Sequence, residues 1–118
     1  MKKLVFILGI LISVSSMAQS NDEKIIRNIL ADQISFWNKG DIPGFMQGYW
    51  NSDSLVFVGK NGPTYGYNNT LHNYQKNYPN KDCMGILNFD IISVQPIEKD
   101  HYFVIGKFML KRKVGDAS

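Results

Sequence analysis

Two long runs near the C-terminus limit what this chain can fold into more than anything else in it. Residues 86–97 alternate between Leu87, Phe89 and Ile91 on one side and Asp90, Ile92 and Val94 on the other. That is the period-two pattern of a strand covered at least in part on both faces. After the turn Glu98-Lys99-Asp100, residues 102–113 repeat it, with Tyr102, Val104, Gly106, Phe108 and Leu110 on one face and Phe103, Ile105, Lys107, Met109 and Lys111 on the other. A long hairpin is expected, with Gly106 marking a bend or a close approach. Cys83 is the only cysteine, so no intramolecular disulfide can brace the fold and stability has to come from a core.

The preceding residues supply that core. Ser20-Asn21-Asp22-Glu23 has the pattern of a capping box, in which the serine oxygen accepts from a helical amide and the glutamate reaches back. Behind it, Ile26, Leu30, Gln33 and Trp37 recur at helical spacing beside a stripe of Ile25, Ile29 and Phe36, and Gly40 stops the helix. Asp41 caps a second, shorter helix with Pro43 in its first turn and Phe45, Met46, Tyr49 and Trp50 as its apolar residues. A strand over 55–59, a turn at Asn61-Gly62-Pro63 and a brief return at Thr64-Tyr65-Gly66 follow. A third helix is expected from Asn68 or Asn69, carrying Leu71, Tyr74, Gln75 and Tyr78 and ending at Pro79, with a loop over 80–85.

The first 18 residues read as a signal peptide: Lys2 and Lys3, an apolar run over 4–14, and small residues at Ser16 and Ala18. The apolar run is shorter than the about 20 residues that cross a bilayer. Cleavage after Ala18 leaves a single domain over 19–118, secreted or periplasmic, with no membrane association. Losing Lys2 and Lys3 leaves 11 basic residues against 10 acidic ones, so the net charge falls from +3 to +1 and nucleic acid is not an expected partner. Lys107, Lys111, Arg112 and Lys113 read as a solvated strand edge that resists edge-to-edge pairing.

Residues able to do acid–base chemistry are sparse. Asp32, Asp53 and Asp90 are the acids nearest possible pocket surfaces, and Asp53 sits in a turn where aspartate is expected for its local hydrogen bonds. His72, His101 and Cys83 have no neighbour at ligand spacing, so neither a metal nor another cofactor is expected. The dense feature is the set Trp37, Tyr49, Trp50, Phe57, Tyr65, Tyr67, Tyr74 and Tyr78, whose members divide between core and cavity wall in a way spacing does not assign.

The order of elements, together with Trp37-Asn38-Lys39-Gly40-Asp41, Tyr49-Trp50, Leu55-Val56-Phe57-Val58-Gly59, Tyr65-Gly66, Asn73-Tyr74, Tyr78-Pro79 and Met84-Gly85, resembles the nuclear transport factor 2-like superfamily. Within it, the chain resembles a bacterial branch of unknown function beside the SnoaL-like cyclases. The resemblance implies an α+β cone, in which a curved antiparallel sheet wraps three helices around a pocket and dimers form across the open sheet face. Ketosteroid isomerases on this fold place a base aspartate in the strand after the second helix. Phe57 and Val58 stand there in this chain, so that mechanism is not carried over.

Three functions follow as expectations. The first is binding of a small apolar or carbonyl-bearing molecule by Trp37, Tyr49, Trp50, Tyr65, Tyr67 and Tyr74. The second is an isomerase, cyclase or dehydratase in which Tyr65 or Tyr74 polarises a carbonyl and Asp32 or Asp53 moves a proton. The third is a homodimerisation module using the sheet face of Phe103, Ile105 and Met109. Such folds usually continue past a turn like Gly115 to Ser118 into two more central strands, which leaves the C-terminal side of this domain incomplete. The 118-residue chain alone is therefore expected to be poorly soluble or to swap elements between copies, and a cooperative melt at monomer size would overturn that expectation.

Overall fold

The computed structural model describes residues 20–118, so the expected signal peptide lies outside the described residues. Helix α1 (Asn21–Asn38) is followed by the short α2 (Ile42–Met46), the hairpin β1 (Val56–Gly59) and β2 (Gly62–Tyr65), and α3 (Tyr67–Asn77). A single turn, α4 (Lys81–Met84), leads into the long hairpin β3 (Ile86–Glu98) and β4 (His101–Lys111).

Only half of the expected capping box forms. Ser20 Oγ accepts from the Glu23 amide at 3.1 Å, while the Glu23 carboxylate pairs with Arg27 at 3.1 Å instead of reaching back. Two charged donors of a guanidinium one turn along, Nε and Nη2, both reach Glu23 Oε1 and satisfy the partly exposed carboxylate better than one amide would. The loop expected over 80–85 is α4, because Asn80 Oδ1 caps the Cys83 amide at 2.9 Å and Gly85 ends the turn at φ +64. A side chain at Gly85 would also run into the Lys111 carbonyl and the Arg112 side chain, so glycine is needed there twice over. Gly44 has a related duty: it lets α2 lie directly against the Phe36 ring of α1.

β3 and β4 pair antiparallel from Ile86 opposite Lys111 to Glu98 opposite His101. A bulge at Ile92 corrects the expected faces, because it carries Val94 across to sit opposite Val104, on the face of Leu87, Phe89 and Phe108. Pro96 falls opposite Tyr102 near the far end of β3, on an edge that needs no amide donor there. The described residues form two separate two-stranded sheets rather than one continuous curved sheet, with β1–β2 and β3–β4 not hydrogen bonded to each other.

The core sits where α1, α2, α4 and the near end of the long hairpin meet, with Trp37, Ile42, Phe45, Met46, Met84, Leu87 and Leu110 all buried. Ile25 and Ile29 of α1 remain exposed, because among the described residues nothing covers that part of the second apolar stripe. Two polar links fix α1 to the hairpin. Trp37 Nε1 donates to the Met84 carbonyl at 3.1 Å. The Asn38 carboxamide both accepts from the Leu87 amide at 2.8 Å and donates to the Leu87 carbonyl at 3.3 Å, so it stands in for a neighbouring strand on the outer edge of β3. Replacing Asn38 with alanine leaves both Leu87 backbone groups without partners and should cost about 1–3 kcal/mol in denaturant unfolding. An unchanged unfolding midpoint would show that water replaces the amide without loss.

Candidate functional site

Helix α1 ends with Trp37 turned under the long hairpin, and that indole is the floor of an aromatic cluster. Its ring meets Phe45 and Tyr78 edge-on at 5.0 Å between centroids and Tyr74 at 5.8 Å. Tyr74 in turn meets Phe45 at 5.3 Å and Phe57 at 5.6 Å. These are the edge-to-face distances at which aromatic quadrupoles attract, so the rings hold one another's orientation. Above them lies a cavity of about 340 Å³, walled by Trp37, Phe45, Tyr49, Phe57, Tyr74 and Tyr78 from below and by Leu87, Phe89, Phe108 and Leu110 of the hairpin from above. A second, larger cleft of about 880 Å³ adjoins it between the two sheets, sharing Phe57, Val58, Tyr74, Tyr78 and Phe108 and adding the polar Thr64, Asn73 and Asn77.

The wall of the apolar cavity carries a hydrogen-bonded pair of phenols. The hydroxyls of Tyr49 and Tyr74 lie 2.9 Å apart, brought together from the turn after α2 and from α3. Burial pushes the Tyr74 phenol far above its ordinary value, helped by the Tyr49 and Tyr78 phenols beside it. Burial raises Tyr49 as well, partly offset by its hydrogen bond with Tyr74. Both are therefore neutral hydroxyls across the physiological range. One of the two protons is used between them, and the other is free to donate to an acceptor in the cavity.

Of the residues expected at a site, Trp37, Tyr49 and Tyr74 are brought together around this cavity. Tyr67 packs against the core without lining it. Trp50 and Tyr65 are each 63 % exposed. Tyr65 pairs with Val56 across β1–β2, and the strand alternation that turns Phe57 inward sends both of them outward. Asp32 and Asp53 are exposed and line neither space. Phe45, Phe89 and Phe108 line the cavity but were absent from the expected set; the signal for the last two was their shared face in the alternation of the long hairpin. Among the described residues, no group of three His, Cys, Asp or Glu side chains is placed to hold a metal.

The buried phenols set an alkaline limit on stability. Above the ordinary tyrosine value of 10.0, the unfolded chain releases phenolic protons that Tyr49 and Tyr74 retain when folded. The unfolded state then binds fewer protons than the folded one, so stability falls as pH rises further. Denaturant unfolding followed upward from neutral pH should be flat at first and then decline, and a Tyr49→Phe, Tyr74→Phe double variant should decline less steeply. Equal slopes in the two proteins would contradict the burial of these hydroxyls.

No profile of a known protein family matches the chain, and no curated protein aligns with it significantly. Among solved structures, it is similar to the crystal structure of an NTF-2-like protein of unknown function from Shewanella oneidensis MR-1. The two are 32 % identical and superpose with a TM-score of 0.77, over 81 % of this chain and 79 % of that one. Identity at that level over most of both chains places this chain in the nuclear transport factor 2-like family.

Proposed function

We propose that this chain is an exported binding domain that holds a small, mostly apolar molecule, with the Tyr49–Tyr74 pair donating one hydrogen bond to a carbonyl or similar acceptor. The observation that carries this reading is the aromatic cavity of about 340 Å³ with the hydrogen-bonded Tyr49–Tyr74 pair in its wall. Its size is at the lower end of the range in which proteins bind small organic ligands, and apolar walls with few polar groups are the usual construction. An isomerase or cyclase would need a base beside the phenols. Asp32 and Asp53, the acids nearest to that role by sequence, lie on the exposed surface outside the cavity. Binding without turnover is therefore the better reading.

The test is ligand-dependent melting and native mass spectrometry of the purified domain with a panel of small cyclic ketones, aldehydes and their hydrocarbon analogues. Carbonyl compounds should bind about three- to tenfold tighter than the matching hydrocarbons, the contribution of one hydrogen bond. Tyr49→Phe or Tyr74→Phe should remove most of that preference while hydrocarbons still bind. A panel in which nothing binds would sink the reading.

A further inference from the structure

The aromatic cavity is built from side chains that apolarity alone does not require. Among the described side chains that line it, only Val58, Leu87 and Leu110 are aliphatic, and all the others are aromatic. An alkyl group is buried as well against leucine as against phenylalanine, because burial depends on apolar area and not on the kind of carbon that supplies it. What a ring adds is its quadrupole, whose negative face attracts a cation far more than a hydrocarbon.

The rings form a box rather than a stack. Trp37 stands at 66° to Phe45, 76° to Tyr74 and 73° to Tyr78, and Phe57 stands at 65° to Tyr74. Rings inclined this steeply wall a space from several directions, whereas stacked rings would cover one another's faces. Phe108, 46 % exposed, adds a ring from the hairpin side.

Charge narrows what fits. Among the described residues, no charged side chain lines the cavity; Lys60, Arg112 and Asp116 line only the adjoining cleft. An anion would lose its water and find one phenol proton in exchange. A primary ammonium would bring three N–H donors into a space with two hydroxyl oxygens already bonded to each other. A quaternary ammonium has no N–H to satisfy, and its methyl groups carry both the charge and the apolar surface.

We propose that the ligand of this cavity is a quaternary ammonium compound, with a trimethylammonium head among the rings and an oxygen a few bonds away accepting from the Tyr49–Tyr74 pair. The inference rests on the binding reading above and narrows its ligand class. The methyl groups supply the apolar contact that reading requires, and the charge accounts for walls of rings.

The test compares acetylcholine with its uncharged carbon isostere, 3,3-dimethylbutyl acetate, a pair that isolates the charge of the head group. In calorimetric titration of the purified chain at fixed ionic strength, acetylcholine should bind about tenfold tighter than the neutral ester. Phe108→Leu keeps an apolar side chain at a partly exposed position but removes a ring, and should cut that ratio about threefold. Production with fluorotryptophan and then trifluorotryptophan weakens the face of Trp37 while nearly conserving its shape; the other tryptophan, Trp50, lies outside the cavity. The ratio should fall stepwise with added fluorine. The proposal is overturned if the neutral ester binds as tightly as acetylcholine, or if fluorination leaves the ratio unchanged; the reading of the cavity as an apolar site survives either result. Failure of both compounds to bind overturns it as well, and the ketone and aldehyde panel then decides separately whether the cavity is a binding site.

Discussion

Burial of Trp37 is the interaction on which the rest of this structure depends. Its indole N–H is satisfied by the Met84 carbonyl, so the largest side chain in the core carries no desolvated donor. Its ring faces contact α2 through Phe45 and α3 through Tyr74 and Tyr78. Three helices and the start of the long hairpin are thus positioned against one side chain, and the cavity above it is bounded by the same rings. Structural and functional roles are not separable at this residue: its packing is what leaves Tyr74 at hydrogen-bond distance from Tyr49.

The outline of the fold was legible in the sequence because it is written in periodicities. Trp37 and Gln33 fell on one helical stripe, and both are buried. Phe108 and Leu110 shared a strand face, and both line the cavity. What the pattern did not reveal came from single hydrogen bonds and from one extra residue. Asn80 converts an expected loop into a helical turn by capping Cys83, and the bulge at Ile92 moves Val94 to the other face.

The site was half legible for a related reason. Aromatic composition marks where rings are dense but not which way each points. Trp50 and Tyr65 face solvent because of the turn after α2 and the pleat of β2, and neither is encoded in their own chemistry. The pairing of Tyr49 with Tyr74 joins residues 25 apart and depends on how the turn after α2 sits against α3, which no local pattern specifies.

The asparagine link between α1 and β3 has a topological consequence. Asn38 and Leu87 are 49 residues apart, and their two hydrogen bonds close that segment into a ring. Phe45, Tyr49, Phe57, Tyr74 and Tyr78 all lie inside the ring. Their mutual geometry exists only after the entropy of closing so long a loop has been overcome. The Trp37–Met84 bond closes nearly the same loop, so the two links together hold this part of the aromatic wall as one cooperative unit.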